Sequence, residues 1–406
     1  MEDFEHYYQE KLNTENVEQL PEPPVRDEKL ERRRKKAPMD WPLMVLALLL
    51  LTIGVIMVFS ASFVRSYYEE ANPMYVFRRQ ILFAVLGIAV MLVVSRIPVS
   101  VFRRWSMILL WCSVLLLAAV LALGMVGFGS RRWISLGFTT FQPSELTKLA
   151  VILGFATMIC KYGNRRMKTF RYGVLPFGIV LVIIVALLVL EPHYSAAMII
   201  IGLSAILMFA GGTKLRWLLG AAVLAGGILF VAYRYVPYVH DRFTALFHPE
   251  DDPTNTGLQI IQSILAIGSG GLTGLGLGQS RQKFMYLPEE HNDYIFAIVC
   301  EELGFIGAVL ILILFALLIC RCFWIALHAK TKYGALVVIG VTGLLAIQVF
   351  LNVAVVTNLI PATGISLPFF SYGGTALLLT MIEIGIVLAV SREIPLPEET
   401  ETEEQP

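Results

Sequence analysis

Apolar runs of about twenty residues recur along this 406-residue chain, and each is long enough to cross the roughly 30 Å hydrocarbon core of a bilayer as a helix. Lipid leaves few alternatives, because backbone that cannot meet water must satisfy its own hydrogen bonds, and a helix does so within one segment. With 57% of its residues hydrophobic and 16% charged, the chain reads as an all-α integral membrane protein and not as a soluble enzyme. Ten transmembrane helices can be drawn, at about 41–62, 77–96, 105–127, 143–161, 173–190, 194–211, 215–236, 293–320, 333–357 and 367–391. Cys112, Cys160, Cys300, Cys320 and Cys322 lie within or at the ends of these runs, with neither disulfide nor zinc spacing, and read as small apolar core residues.

The flanks differ in kind. Residues 1–40 are polar, rich in Glu and Pro, and end in the basic cluster Arg32 to Lys36, the composition of a disordered tail. Residues 393–406 form a second, acidic tail after the membrane domain 41–392. Placing the amino terminus inside puts Arg103, Arg104, the run from Lys161 to Arg171, Lys214, Arg216, Arg321, Lys330, Lys332 and Arg392 in the cytoplasm, as the positive-inside rule asks. An even number of spans returns the carboxyl terminus there. The exceptions are Arg65, Arg78, Arg79, Arg131, Arg132, Arg234, Arg242, Arg281 and Lys283, which fall outside. The formal net charge of +1 gives no reason to expect a nucleic-acid partner.

By this topology three outer segments share one face of the membrane. The first is 127–148 (GFGSRRWISLGFTTFQPSELTK), the second the large loop 237–292 between helices 7 and 8, and the third 358–374 (NLIPATGISLPFFSYGG). The second far exceeds the usual connection in a helical bundle, which favours a functional loop with structure of its own. Within it, residues 256–278 alternate apolar residues with glycines, suggesting an amphipathic or re-entrant helix and then a flexible turn. Glycines without the lysine and Ser/Thr of a P-loop are weak evidence for phosphate binding.

Asp293 stands where this polar loop meets the eighth span, next to His291 and close behind Glu289 and Glu290. Partial desolvation raises a carboxylate toward the range useful for a general base. An Asp before an apolar run is equally a helix N-cap. Glu301, eight residues on, shares a helical face with Asp293, so the two can line one inward cavity, with Glu302 beside them. Lys148 follows Glu145 by three residues and can pair with it on one helical face; alternatively Lys148 and Arg132 hold a lipid pyrophosphate. The stretch from Pro361 through Pro368 to Gly374 is non-helical backbone at the membrane edge, tolerated only where protein buries it or it lines a cavity. Glu383 is a further acid inside a span, and Gln348 and Asn352 read as interhelical hydrogen-bonding groups.

Three stretches, FQPSELTKLA (141–150), GLGLGQSRQKFMYLPEEHNDYIFAIVCEELGFIG (274–307) and LIPATGISLPFFSYGGTALL (359–378), closely resemble the SEDS family of shape, elongation, division and sporulation proteins, represented by FtsW, RodA and SpoVE. The resemblance spans about residues 41–392 and keeps the family's order and spacing. It implies a GT-C-like fold in the bacterial cytoplasmic membrane with both termini cytoplasmic and the active site outside. The implied activity is that of a peptidoglycan glycosyltransferase. It polymerises lipid II by joining the 4-hydroxyl of one disaccharide to the anomeric carbon of another with inversion, expelling undecaprenyl pyrophosphate. The acid of the family's LPExHxD motif falls on Asp293 as catalytic base. Lys148 and Arg132 would steady the pyrophosphate, and Glu145, Arg281, His291, Glu302 and Ser371 would line the cavity. The implied partners are a class B penicillin-binding protein and other divisome membrane proteins.

A divalent cation, magnesium or manganese, often accompanies a pyrophosphate leaving group, yet no carboxylate cluster here has ligand spacing, and no metal ligand is assigned. Two departures stand out. Where many members read QPDLGTA this chain reads EPHYSAA (191–197), with His193 in place of the acid, and the usual HTD is HND, with Asn292. The wording of GQSRQKFMYLPE and PFFSYGGTA is closer to the division and sporulation branch than to the elongation branch. Two rivals remain: a lipid-precursor flippase, which would spread its charges toward both faces, and a division scaffold, which would not need an acid at 293.

Overall fold

The computed structural model describes residues 38–394 except 128–129, 136, 138–139 and 253–255. The expected tails, 1–40 and 393–406, therefore lie outside the described residues but for their innermost few. Asp40 starts α1 (Trp41–Glu70), its carboxylate accepting the Leu43 N–H at 2.9 Å. Helices α2 (Tyr75–Val94) and α3 (Val99–Leu123) follow, then three short antiparallel strands, β1 (Met125–Gly127), β2 (Ser130–Ser135) and β3 (Thr140–Phe141), in the order β1-β2-β3. Next come α4 (Pro143–Met167), α5 (Phe170–Gly173), α6 (Leu175–Leu190), α7 (Tyr194–Ala210), α8 (Leu215–Tyr235), α9 (Pro237–Phe247), α10 (Thr256–Gly270), α11 (Ile295–His328), α12 (Lys332–Val356) and α13 (Gly374–Ser391).

Among the described residues, nine helical stretches are long and apolar enough to cross a membrane, and the 17-residue α7 is a tenth, shorter apolar helix. The drawn spans thus each find a helix. The eighth starts two residues late, at Ile295, and the tenth starts at Gly374 because the Pro368 to Gly373 stretch stays non-helical. The strands were not expected: the first outer segment reads as loop, and pairs such as Ile134 with Phe141 form ladders too short to announce themselves by periodicity.

Helices α4, α12 and α13 are the most enclosed, while α8 buries none of its residues. Packing is pairwise: α13 along α2, α3 along α4, and α11 against α1, α10 and α12. Two ends of the bundle result. At one, Arg321 grips Asp40 at 2.7 and 3.1 Å, Glu393 accepts the Val99 N–H, and Arg392 reaches the Ser95 carbonyl. At the other, Arg65 meets Glu290 at 3.3 Å, Thr375 donates to the Thr140 carbonyl, and the Tyr372 N–H donates to the His291 carbonyl. All three outer segments gather at this second end.

The long helix α11 breaks at Gly304, whose φ of 69° and ψ of −173° are not helical. The glycine-rich turn after α10 mends the break. Leu275 and Gly276 donate to the carbonyls of Glu301 and Glu302 at 3.0 Å, while Phe305 and Ile306 donate back to Gly271 and Leu272. A Cβ on Gly304 would sit 2.2 Å from the Gly274 nitrogen, and one on Gly274 would sit 2.2 Å from the Glu302 carbonyl oxygen. Both glycines also hold positive φ, so neither the contact nor the conformation admits a side chain. These glycines cradle backbone.

Candidate active site

Asp293 lies just before α11, outside the helix proper, and does not cap it, since the residue at the cap is Tyr294. Its backbone is fixed on both sides. Asn352, fully buried on α12, donates one amide to the Asp293 carbonyl at 2.8 Å and to the Ile365 carbonyl at 2.7 Å. Ser371 donates to the Asn292 carbonyl at 2.8 Å while accepting the Leu367 N–H at 2.7 Å. The side chain is treated differently. Among the described residues no hydrogen bond reaches the Asp293 carboxylate, and Gly364 lies against it, where a Cβ would stand 3.0 Å from Oδ2. Burial pushes the carboxyl up to about 6, and Glu289 adds to this; the positive fields of Arg242, Arg132 and His291 oppose it. A partly desolvated acid that titrates near neutrality can take a proton and give it up again.

The third outer segment forms the floor. Its carbonyls at Ala362, Thr363 and Ile365 accept from Arg242 on α9, Ser195 on α7 and Asn352 on α12. Elements far apart in sequence thus hold this non-helical backbone, which is what irregular chain at membrane depth requires. Arg242 belongs to the site by this placement. Its only sequence signal was a cation on the side where the positive-inside rule expects few.

Arg132 on β2 donates to the carbonyls of Glu191 and Pro192, so the first outer segment is tied to the α6–α7 turn. Glu191 and His193 are both buried there. Burial pushes the Glu191 carboxyl up to about 8 against the field of Arg132, and pushes His193 down to about 3, helped by Arg132 and Lys148. Lys148 is buried and pairs with Glu145 at 2.7 Å, the i,i+3 pairing expected from sequence, and its field also reaches Glu383.

The remaining candidates have partners of their own. Glu302 accepts from Ser60 at 2.6 Å and from Lys283 at 3.2 Å, and Glu301 accepts from Ser280 and from the N–H of Arg281 at 2.9 Å. The loop 278–283 thus takes up the acceptors of Glu301. Arg281 enters this contact through its backbone, its side chain being exposed. His291 is buried, with Nδ1 3.6 Å from Glu290 and its ring against Tyr372. Asn292 donates to Glu289. Among the described residues no three His, Cys, Asp or Glu side chains are grouped to hold a metal ion.

Comparison with known proteins agrees with this architecture. Residues 40–395 match the sequence profile of the cell cycle protein family of FtsW, RodA and SpoVE. The chain is 43% identical to stage V sporulation protein E of Bacillus subtilis over 363 residues, 88% of this chain and 98% of that one. It is 40% identical to the probable peptidoglycan glycosyltransferase FtsW of Trichlorobacter lovleyi over 371 residues, 90% and 97% of the two chains. Among solved structures, a chain of a peptidoglycan synthase complex that coordinates polymerization and crosslinking superposes with a TM-score of 0.73 at 29% identity, covering 88% of this chain and 99% of the other. The rod shape determining protein RodA of Thermus thermophilus gives 0.66 at 28%, covering 88% and 98%. With nearly the whole membrane domain matched in both sequence and fold, this chain belongs to the cell cycle protein family of FtsW, RodA and SpoVE.

Proposed function

We infer that this chain is a peptidoglycan glycosyltransferase that polymerises lipid II at the outer face of the bacterial cytoplasmic membrane. The observation that carries the reading is the state of Asp293: a carboxylate raised to about 6, without a hydrogen-bond donor among the described residues, on rigidly held backbone, within reach of the positive fields of Arg242 and Arg132. Asp293 takes the proton of the acceptor 4-hydroxyl as that oxygen bonds to the donor's anomeric carbon. The bond from that carbon to the pyrophosphate oxygen breaks, and undecaprenyl pyrophosphate leaves with the electron pair. Attack opposite the leaving group inverts the anomeric centre.

Arg132 and Lys148 supply positive charge toward the pyrophosphate, Lys148 as part of its pair with Glu145. Ser371 and Asn352 act as positioning residues, and Glu302 and the Arg281 backbone set the loop that precedes the catalytic turn. His291 presents its ring beside them. The likeness to a chain of a peptidoglycan synthase complex supports a class B penicillin-binding protein as partner, with other division or sporulation membrane proteins around it. Likeness to both FtsW and SpoVE supports septal synthesis over elongation.

Purified lipid II, the full chain and its transpeptidase partner test the reading. Wild type is expected to make glycan chains, and folded Asp293→Ala and Asp293→Asn none. Equal polymerisation by the variants would remove Asp293 as base; transport of lipid II without polymerisation would favour the flippase.

A further inference from the structure

The α6–α7 turn carries two buried side chains that the proposed reaction does not use. Glu191 is 1% exposed, and among the described residues its Oε1 is sealed from solvent without a hydrogen-bond partner; His193 is 7% exposed, and its Nδ1 is in the same condition. Buried polar atoms in folded proteins are nearly always paired, so an orphan asks what its partner is. Two orphans on one turn, two residues apart, ask for the same one.

Their surroundings narrow the answer. Arg132 spends Nε and Nη2 on the carbonyls of Glu191 and Pro192, so it braces the turn instead of neutralising the Glu191 carboxyl by direct contact. Gln142, just before α4, approaches the other ring nitrogen of His193 at 3.4 Å. The charged groups facing the pair are Arg132 from β2 and Lys148 from α4, and Arg132 also acts on Asp293 together with Arg242. The turn therefore shares the field of Arg132 with the proposed base.

We propose that Glu191 and His193 form a sugar-binding subsite next to Arg132, hydrogen-bonding a hydroxyl or acetamido group of the glycan substrate. A carboxylic acid and an imidazole that both stay uncharged each offer one donor and one acceptor, which matches a hydroxyl or an amide. A pyrophosphate offers acceptors only. The raised Glu191 and lowered His193 fit this state near neutral pH. The subsite rests on the glycosyltransferase reading only for the identity of its sugar-bearing ligand.

The test uses the full chain in detergent or nanodiscs. In direct binding, Glu191→Ala is expected to weaken lipid II about tenfold and to leave undecaprenyl pyrophosphate, which lacks the sugars, within about twofold of wild type. Equal loss for both ligands, or loss for neither, overturns the subsite. In polymerisation, the wild-type rate is expected to fall as pH rises through about 8, where Glu191 ionises, and Glu191→Gln to lose that alkaline limb because an amide does not titrate. A limb that persists in Glu191→Gln also overturns it. If wild type forms no polymer yet binding still separates the two ligands, the glycosyltransferase reading fails and the subsite stands.

Discussion

Asp293 and the pair Glu301–Glu302 lie within ten residues of one another around the start of α11, and they have opposite surroundings. Glu301 and Glu302 accept from Ser60, Ser280, Lys283 and the backbone of Arg281 and Gln282. Asp293 has a fixed backbone and a carboxylate to which no described residue donates a hydrogen bond. The first arrangement uses charge to fasten a loop across a broken helix. The second holds a carboxyl at a high free energy, available for a proton. A buried acid in a membrane protein is thus not a sufficient sign of chemistry; what distinguishes the proposed base is that no described residue donates a hydrogen bond to its carboxylate.

The largest effect expected from breaking this contrast is on activity. Asp293→Asn removes a general base, for which the usual contribution is about 10²- to 10⁴-fold, measured as lipid II polymerisation at pH 7. In wild type the rate should climb as pH rises through about 6, where Asp293 loses its proton. A wild-type rate that is flat from pH 5 to 7 would remove Asp293 as the titrating base.

Removing the partner of a buried charge should be of similar size but should act on stability. Glu302→Ala leaves the Lys283 ammonium without its carboxylate in a buried site, a change that costs about 3–5 kcal/mol. Thermal unfolding in detergent should show a large drop, and adding Lys283→Met should recover part of it. A Glu302→Ala chain as stable as wild type, yet inactive, would reverse the assignment and make Glu302 the chemical acid.

The two acids should then differ in the sign of their effect on stability. The Asp293 pKa of about 6 in the folded chain lies above the ordinary 3.8. Below 3.8 both folded and unfolded chains hold the proton and nothing is lost. Between 3.8 and about 6 the unfolded chain ionises first and stability falls; above 6 the loss is constant, about 3 kcal/mol at 1.36 kcal/mol per pH unit. Asp293→Asn escapes it, so the inactive variant should be the more stable protein at pH 7 and should lose that advantage near pH 4. Glu302→Ala should be the less stable one.

Much of this was legible in the sequence because hydropathy is local. Runs of apolar residues marked where helices lie, and Asp293 stood out as an acid at the boundary of such a run. The broken helix was not legible, since Gly304 inside an apolar stretch looks like an ordinary helix residue until the turn carrying Gly274 is laid against it. The eight-residue spacing from Asp293 to Glu301 is no helical spacing either, because Asp293 precedes α11, and spacing says nothing of which donors the loop 278–283 brings. Contacts across long separations, such as Arg242 to the Ala362 carbonyl 120 residues away, leave no periodic trace. The same holds for the turn of Glu191 and His193, which Arg132 ties to β2 from 59 and 60 residues away.

Asn352 tests how closely the base must be held. Its amide serves two buried carbonyls, at Asp293 and Ile365, and Asn352→Ala leaves both unpaired, at about 1–3 kcal/mol each. If its part were only to stabilise α12, the surviving folded protein would keep the wild-type pH dependence. A positioning part predicts that the midpoint near pH 6 moves, because Asp293 shifts relative to Gly364 and Glu289.

The smallest effect is expected at Arg281, and it separates backbone from side chain. The contact that Glu301 makes at this position is with the N–H, at 2.9 Å, while the guanidinium side is exposed. Arg281→Ala keeps that N–H and should change stability by no more than about 0.5 kcal/mol. Arg281→Pro deletes the N–H and should approach the loss seen on disturbing the Glu301 contacts. If instead Arg281→Ala raised the KM for lipid II severalfold at unchanged stability, the side chain would be meeting substrate, and the loop that Glu301 and Glu302 fasten would count as part of the binding surface and not only as its support.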